Sequence, residues 1–422
     1  MRRLLVPLVL VTALGCKAGP MAKIEGLRDA LATGDDGAVR TATTDYPTCR
    51  DQELAQLRDP SNGAYDVACL DAIATALDFS FGAGLKARYS GEELVRLLLA
   101  HPSAEIVCIT SRQSAGRSVG EVFPRFRGLP GTSGLQFELP NPANIAGSGA
   151  TLAFLALPHG AAAEIAVPLI EAGIRVIDLS ADFRLRDPAV YAEFYGHPHP
   201  APNLLTEAVY GLPERRSNEI RNARLVASPG CYPTSILLPL CPLLERGILD
   251  PAGIVISSMS GVSGAGRKAD VSLLFAECNE SVRAYGLPKH RHLSEIEQEL
   301  SSAAGGNVRV TFNPHLVPIT RGIQSTITAR PSERGAERRI AEAYAAVYGK
   351  APFVRLLGGD GPFPDTRHVA LTNFIDIAWR FDDRTGTVIL LSAEDNLTKG
   401  AAGQAIQSFN LMCGFPEIAG LL

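Results

Sequence analysis

From about residue 88 the chain alternates short, continuously apolar runs with amphipathic helical patterns, and this alternation restricts the fold more than any other feature. A helical pattern over Gly91–His101 leads to a strand pattern over Glu105–Thr110. A strand over Thr151–Leu157 leads to a helix over Ala161–Ala172, and a strand over Arg175–Leu179 follows. Apolar strands separated by helices are typical of parallel sheets that are covered on both faces. The pattern predicts an α/β fold with a doubly wound parallel nucleotide-binding sheet.

After Cys231 the strands become longer and alternate between apolar and polar residues. They are predicted over Gly253–Ser260, Asn307–Phe312, Gly322–Arg330, Asn373–Phe381 and Thr387–Ser392. The short turn 382–386 joins the last two strands, as in a β-hairpin. We therefore expect residues 231–394 to form an α+β catalytic domain with a mostly antiparallel sheet. The final helical pattern, Gly400–Met412, is free to pack back on the first domain.

Composition and charge restrict the partners. The chain has 422 residues, enough for two or three domains, and a formal charge of −4 without a long basic run. This balance gives no indication of a nucleic acid or an anionic membrane as partner. The eight cysteines form no C-x-x-C pair, which argues against a zinc site and a disulfide scaffold. We expect a small-molecule substrate, no metal and, from residue 81 onward, a reduced cytoplasmic protein.

The first twenty residues conflict with a cytoplasmic location. They combine a basic start, an apolar run over Leu4–Leu14 and a small residue before Cys16, and they resemble a bacterial lipoprotein signal. The alternative is an arbitrary apolar start. Residues 21–87 are acidic and are predicted to be a separate N-terminal extension. Residues 88–230, completed by residues 395–422, are predicted to form the nucleotide-binding domain.

Residues 225–247, LVASPGCYPTSILLPLCPLLERG, place one cysteine at a strand-to-helix elbow. The apolar run Leu225–Ala227 stops at Pro229-Gly230, and a helical pattern begins just after Cys231. Free backbone N–H groups and the positive end of a helix dipole favour a thiolate, which is the nucleophilic form of cysteine. Cys231 is therefore a candidate nucleophile, and the alternative is a small buried thiol.

A second candidate group is the run KHRHLSEIEQEL over residues 289–300. It places His290 and His292 just before a helix for which Ser294 and Glu297 predict a capping box. A histidine that reaches Cys231 would serve as general base and then as general acid. The alternative for either histidine is a solvated loop residue.

Seven motifs, in order, resemble the N-acetyl-gamma-glutamyl-phosphate reductase family of arginine biosynthesis from about residue 89 to the end. They are LPHGAAAEIAVPLIEAGIRVIDLSADFRL (157–185), YGLPE (210–214), SPGCYPTS (228–235), SGVSGAGRKA (260–269), KHRHLSEIEQEL (289–300), PHLVPITRGIQSTI (314–327) and NLTKGAAGQAIQSFNLM (396–412). The resemblance implies that Cys231 expels phosphate from an acyl phosphate to form a thioester, which NADPH reduces to a semialdehyde. It matches His292 to the family's acid/base histidine. It also implies an assembly of identical subunits.

Substrate and cofactor residues follow from the same motifs. Arg267, Lys268 and Arg321 are candidates for the substrate carboxylate or phosphate, with solvated surface charges as the alternative, and Lys289 or Arg291 is a candidate for holding phosphate. Ser111 and Arg112 follow the second family strand, where a cation suits the 2′-phosphate of NADP. The other candidates on the cofactor side are Gly91, Pro158, His159 and Asn396.

The glycine-rich turn departs from the family pattern. The register set by Tyr89-Ser90-Gly91 puts Leu85 and Arg88 where the first two glycines belong, and side chains there would crowd a pyrophosphate. We expect residues 1–87 to be a foreign segment that lies outside the compact core. In the alternative, residues 79–81 form the first strand, and Gly82 and Gly84 line the turn.

Two other functions remain open from the sequence. One is the reduction of a related acyl phosphate, such as a carrier-bound aminoadipyl phosphate of lysine synthesis. The other is an exported, non-catalytic lipoprotein that retains the reductase fold.

Overall fold

A computed structural model describes residues 6–12, 89–266, 270–333 and 335–422, and residues 6–12 are described by their backbone alone. In chain order the elements are β1 (Val6–Thr12), α1 (89–100), β2 (Ala104–Thr110), α2 (Val119–Val122), β3 (Phe137–Glu138), α3 (Pro142–Gly147), β4 (Leu152–Ala156), α4 (Ala162–Glu171), β5 (Arg175–Asp178), α5 (Pro188–Tyr195), β6 (Val209–Tyr210), α6 (Pro213–Asn222), β7 (Leu225–Ala227), α7 (Cys231–Glu245), β8 (Val255–Gly261), α8 (Phe275–Cys278), β9 (Arg283–Ala284), α9 (Arg291–Ala304), β10 (Thr311–Val317), β11 (Ile323–Ala329), α10 (Ala336–Tyr348), β12 (Val354–Gly358), α11 (Thr366–Val369), β13 (Ile375–Asp382), β14 (Thr387–Glu394) and α12 (Gly403–Cys413). A π-helix over Thr398–Ala402 precedes α12. None of the described helices combines the length and apolar character needed to cross a bilayer.

The first domain is built on a seven-stranded sheet in the order β3-β2-β1-β4-β5-β7-β6. Every neighbouring pair in it is parallel. Helices α1 and α12 pack on one face, where Leu94, Leu98 and Phe409 share a core with Phe154 of β4. Helix α4 packs on the other face through Ile165 and Leu169. The predicted doubly wound parallel sheet is confirmed.

The N-terminal prediction requires a correction. Val6–Thr12, from the apolar run that resembles a signal, lies between β2 and β4 and pairs in parallel with both. The predicted boundary at residue 88 is therefore wrong for this strand, and residues 6–12 contradict the prediction that the N-terminal segment lies outside the core. The physical reason is that VPLVLVT suits a strand covered on both faces as well as it suits a signal. Residues 79–85 and Arg88 lie outside the described residues, and the place next to β2 and β4 is occupied by Val6–Thr12.

The second domain carries a seven-stranded mixed sheet in the order β12-β13-β14-β11-β8-β10-β9. Its hairpin β13–β14 and the pairs β14–β11, β11–β8 and β10–β9 are antiparallel, whereas β8–β10 and β12–β13 are parallel. The predicted mostly antiparallel sheet is therefore confirmed. Strand β10 extends to Val317, beyond the predicted end at Phe312, because Pro314 is tolerated beside the two-residue edge strand β9.

Helix α7 connects the two domains and is buried along nearly its whole length. Pro239 and Pro242 cannot donate to the carbonyls four residues earlier, which would leave two buried acceptors. The Ser392 hydroxyl donates to Ser235 O (2.6 Å) and the Tyr348 hydroxyl donates to Leu238 O (2.6 Å). Side chains of the second domain thus supply the hydrogen bonds that these two carbonyl groups of α7 lack. These bonds hold the helix that begins with Cys231 against the mixed sheet.

Candidate active site

The elbow between β7 and α7 presents Cys231 as the first residue of the helix, with Gly230 as its N-cap. A Cβ added to Gly230 would lie 2.6 Å from Nε2 of His292 and 2.9 Å from its Cδ2 and Cε1. The imidazole therefore occupies the space that a side chain at residue 230 would need. This close approach places His292 against the backbone of the elbow, next to the candidate nucleophile.

The two histidines of the run 289–300 have different positions. His290 is the N-cap of α9, because its Nδ1 accepts from the N–H of His292 (3.1 Å). The predicted capping box is wrong: Ser294 lies inside the helix and its hydroxyl donates to Arg291 O (3.0 Å). His292 is thus held on the first turn of α9 by a cap that a histidine supplies, and its own ring is directed at the elbow.

Glu295 ties the elbow to α9. Its Oε1 accepts from the N–H of Gly230 (2.9 Å) and from the Tyr210 hydroxyl (2.7 Å), and its Oε2 accepts from Nη1 of Arg184 (3.3 Å). Glu295 is buried, so these bonds form in a low dielectric, where they are strong. One carboxylate therefore fixes the backbone before Cys231 and an arginine of the cleft.

The resting charge states are a neutral imidazole at His292 and a protonated thiol at Cys231. Burial, together with the positive charges of His290, Arg184 and Arg291, lowers the pKa of His292 well below its usual value, so its ring is neutral and free to accept a proton as the thiol reacts. Burial, with the charge of Glu394 added, raises the pKa of the Cys231 thiol to about 12, and the backbone N–H of Tyr232 opposes this only in part. The expectation that the elbow by itself favours a thiolate is therefore wrong for the resting protein, and Cys231 needs a base.

A cleft of about 550 Å³ opens over these residues. Its lining includes Ser90 at the start of α1, His159 and Leu179 after β4 and β5, and Cys231 and Asn396. The described residues that line the cleft include four basic ones, Arg184, Arg283, Lys289 and Arg291. One acidic residue, Asp270, lines it as well. The cleft thus joins the carboxyl ends of the parallel strands to the nucleophile, with an excess of positive charge suited to an anionic substrate.

The candidates on the cofactor side lie at the ends of strands. Arg112 is exposed directly after β2, while the buried Ser111 hydroxyl accepts from the N–H groups of Gln113 (3.3 Å) and Ser114 (3.1 Å). Nδ1 of His159 accepts from the N–H of Ala181 (3.1 Å). The side-chain amide of Asn396 accepts from the N–H of Gly322 (2.8 Å) and donates to the Ser263 hydroxyl (2.9 Å).

Several predicted residues line the cleft together, namely Cys231, His292, His159 and Asn396, with His290, Lys289 and Arg291 of the run 289–300. The remaining candidates do not. Gly91 is buried within α1. Ser111, Arg112 and Pro158 do not line the cleft, and Arg267 and Lys268 lie outside the described residues.

The contacts of Arg321 correct its predicted role in binding substrate. Its guanidinium pairs with Glu93 of α1 (2.8 Å) and with Asp395 (3.2 Å), and it does not line the cleft. Glu93 and Asp395 are both buried, so they hold the arginine between the two domains. No local sequence pattern indicates these partners, because they are distant along the chain.

Three residues in or next to the cleft were missed from the sequence: Arg184 and Ser228 line it, and Glu295 contacts the elbow from α9. Arg184 lies in the SADFRL motif, is buried, and has an Nε without a hydrogen-bond partner among the described residues. Glu295 follows His292 by three residues, the spacing of one helix face, which is the signal that was available. Ser228 begins the motif that contains Cys231, and its buried hydroxyl also has no partner in the described ranges.

Comparison with known proteins gives a consistent assignment. Residues 87–223 match the family model described as semialdehyde dehydrogenase, NAD binding domain, and residues 231–396 match semialdehyde dehydrogenase, dimerisation domain. An N-acetyl-gamma-glutamyl-phosphate reductase of Akkermansia muciniphila is 61% identical over 338 residues, covering 79% of this chain and 95% of the relative. The enzyme of the same name from Geobacter metallireducens is 52% identical over 336 residues, with the same two coverages of 79% and 95%.

Solved structures show the same fold at low sequence identity. Aspartate semialdehyde dehydrogenase II from Vibrio cholerae aligns with a TM-score of 0.58 at 18% identity, covering 77% of this chain and 96% of that chain. Aspartate semialdehyde dehydrogenase with NADP from Candida albicans aligns with a TM-score of 0.58 at 17% identity, covering 77% and 95%. The resemblance found in the motifs is confirmed, and the relatives do not favour the aminoadipyl or non-catalytic alternatives.

Proposed function

Because the chain belongs to the N-acetyl-gamma-glutamyl-phosphate reductase family, we propose that Cys231 and His292 reduce N-acetyl-L-glutamyl 5-phosphate to the 5-semialdehyde with release of phosphate. The observation that carries the proposal is the contact of the neutral His292 ring with the elbow at Gly230, beside a thiol that needs a base. An oxidoreductase that forms an aldehyde from an acyl phosphate needs a nucleophile, a proton carrier and an anion-binding cleft. The three are adjacent here.

In the first half-reaction Cys231 attacks the acyl carbon. Its thiol proton passes to Nε2 of His292 as the carbon–sulfur bond forms. The bond between the acyl carbon and the phosphate oxygen then breaks, and its electron pair stays on phosphate. A thioester and free phosphate result. Glu295 supports this step by fixing Gly230 and hence the direction of the Cys231 side chain.

In the second half-reaction the thioester carbonyl carbon is reduced, and bound NADPH would supply the hydride. Protonated His292 gives its proton to the carbonyl oxygen, forming a thiohemiacetal on Cys231. The low pKa of His292 makes its protonated form a strong donor at this point. The carbon–sulfur bond then breaks, the hydroxyl proton returns through His292 to sulfur, and the semialdehyde leaves.

Arg184 and Arg291 are the described residues best suited to the substrate's phosphate and carboxylate. Arg184 is buried with one unused donor, its Nε, although Nη1 bonds Glu295. Arg291 is exposed on the first turn of α9, where a cation opposes the helix dipole, and a bound anion would offset this cost. Arg267 and Lys268 remain predictions for the same role.

The residues present fit a dinucleotide. Ser90 at the start of α1 and Ser228, whose hydroxyl has no hydrogen-bond partner in the described ranges, both line the cleft. Free N–H groups at a helix start bind pyrophosphate, and a buried hydroxyl is suited to a polar group of the nicotinamide end. Exposed Arg112 after β2 favours the 2′-phosphate of NADP over NAD.

The assay of purified protein with N-acetylglutamyl phosphate and NADPH tests the proposal. We expect oxidation of NADPH that depends on this substrate, and a much lower rate with NADH or with a carrier-bound aminoadipyl phosphate. No turnover with any acyl phosphate would contradict the proposed function. Turnover of the aminoadipyl substrate alone would reassign the substrate but keep the chemistry.

The protein is a cytoplasmic homo-oligomer in this proposal. Each of the five cysteines in the described ranges is a free thiol, which suits a reducing compartment. Val271, Leu274, Phe275 and Val282 are 71%, 56%, 82% and 61% exposed, and they belong to the part that matches a dimerisation domain. Such an exposed apolar set favours contact with a second copy. Sedimentation analysis of wild type and Phe275→Asp, for which we expect weaker association, tests this.

A further inference from the structure

Glu394 lies beneath the first turn of the nucleophile helix. It is the last residue of β14, and its side chain is fully buried. Ser392, two residues earlier on the same face of the strand, donates to Ser235 O of α7. A Cβ added to Gly400 would lie 2.9 Å from Oε1 of Glu394 and 2.8 Å from Cβ of Cys231. The carboxyl group and the cysteine side chain therefore flank the same glycine.

The carboxyl group of Glu394 has no hydrogen-bond partner in the part of the chain that the structure describes. Neither of its oxygens accepts or donates a hydrogen bond among the residues that the structure describes. By contrast, Asp395 accepts from Leu397, Thr398, Leu371 and Arg321. Buried carboxylates are normally paired or hydrogen-bonded, so a carboxyl with two unused oxygens needs a separate explanation.

The charged groups around Glu394 leave it uncompensated. Lys399 of the π-helix is the cation that acts on it, but its ammonium bonds Glu214 Oε1 (2.5 Å) and Gln407 Oε1 (2.8 Å). Asp395 and Glu214 add negative charge. Burial, with these two carboxylates, raises the pKa of Glu394 well above its usual value, against the opposing effect of Lys399.

We propose that Glu394 is a positioning residue that controls the charge of Cys231: it is a neutral carboxylic acid in the active enzyme, and its ionisation at alkaline pH suppresses the thiolate. The inference deepens the proposed function, since it rests on Cys231 as the nucleophile. Across the sulfur, Arg184 favours the thiolate whereas Glu295 opposes it, and these two charges are joined in an ion pair. Once ionised, Glu394 is therefore a charge that no ion pair in the described ranges compensates, and it adds to burial in disfavouring the thiolate of Cys231.

Alkylation of Cys231 by iodoacetamide measures the thiolate without turnover. The rate is followed against pH, by mass spectrometry of the peptide that contains Cys231, in wild type and Glu394→Gln. We expect rates within about twofold of each other near pH 7, and an excess of about tenfold for Glu394→Gln at alkaline pH, which corresponds to one pKa unit in the thiol. The wild-type curve should also be broader than that of a single site, because two coupled groups titrate.

Three results would overturn the proposal. A tenfold faster reaction of Glu394→Gln already near pH 7 would mean that the carboxyl is ionised at rest. Equal rates over the whole range would mean no coupling, and slower rates throughout would mean that an ionised Glu394 acts as a base. Glu394→Leu, which is also neutral and of similar size, gives the same comparison should the glutamine variant not fold.

Infrared difference spectroscopy tests the protonation state directly. Near neutral pH, the difference spectrum of wild type minus Glu394→Gln should contain the carbonyl stretch of one protonated carboxylic acid; the subtraction removes the contribution of Asp178, whose pKa burial raises to about 7. Absence of the band from this difference would overturn the proposal. Glu342→Gln, which removes an exposed carboxylate of α10, is the matched control and should keep both the band and the alkylation curve. Both measurements use unreacted protein, so they remain valid should the proposed substrate be wrong.

Discussion

Gly230 and His292 fit each other because residue 230 has no side chain: Nε2 of the histidine lies 2.6 Å from where a Cβ would be. The glycine in the SPGCYPTS motif is therefore needed for close approach rather than for an unusual backbone angle, since its φ is −71°. An alanine there would displace the ring or the elbow. The absence of a side chain at residue 230 therefore allows the base to lie next to the nucleophile.

Replacing Cys231 by alanine should abolish turnover, because the covalent step needs sulfur. NADPH binding, followed by fluorescence titration, should persist. Cys413→Ala is the control and should retain activity with at most a modest loss of stability, since Cys413 is half-buried and distant in the fold. Turnover of Cys231→Ala at the wild-type rate would contradict the thioester mechanism.

His292→Asn should lower kcat by about 10²- to 10⁴-fold, the usual effect of losing a general acid/base. His290→Asn is a matched control, because asparagine is itself a good helix N-cap and can replace the bond that His290 makes to the N–H of His292. Steady-state kinetics of both variants decide the point. A larger loss of kcat for His290→Asn than for His292→Asn would show that His290, not His292, carries the proton.

The pH profile of kcat/KM should show its acid limb below the ordinary histidine pKa of about 6.5. The sign follows from burial: His292 must be neutral to accept the thiol proton, and a lowered pKa keeps it neutral to lower pH. Activity should thus fall only as pH drops through this lowered value. An acid limb at or above the ordinary value that disappears in His292→Asn would contradict the prediction.

Arg321→Ala should destabilise the protein while leaving the KM for substrate unchanged. The change removes a partner from the buried carboxylates Glu93 and Asp395, and leaving such groups less satisfied costs about 1–3 kcal/mol. Chemical denaturation measures the loss, and Arg338→Ala, at an exposed ion pair, is the control with little effect. A large rise in KM with unchanged stability would restore the original assignment to the substrate.

Leu10→Pro should destabilise the nucleotide-binding domain. Residue 10 pairs with Ile109 and Phe154 on its two sides, and proline cannot donate to the ladder in a central strand. We expect a loss of at least about 1–3 kcal/mol for the unsatisfied backbone groups, with weaker NADPH binding. Leu10→Val is the control. Wild-type stability of the proline variant, measured by thermal unfolding, would contradict the place of Val6–Thr12 in the sheet.

The sequence by itself determined the class of both sheets, the elbow cysteine and the run that carries His292. These features are local: strand and helix periodicity, and a Pro-Gly stop before a helix, depend on neighbours along the chain. The family motifs added the pairing of Cys231 with His292 and the cofactor. They also carried Arg184 and Glu295 without showing what these residues contact.

Only the tertiary structure decided the rest, because it depends on residues that are distant in sequence. The apolar run Val6–Thr12 reads equally as a signal or as a strand, and its pairing with β2 and β4 selects the strand. Arg321 reads as a substrate ligand until Glu93, more than two hundred residues away, is found to hold it. Glu394 lies beyond the strand predicted over Thr387–Ser392, and only the fold buries its carboxyl group beside Cys231, with no hydrogen-bond partner in the described part of the chain. Burial and pairing set charge states, and neither is encoded locally.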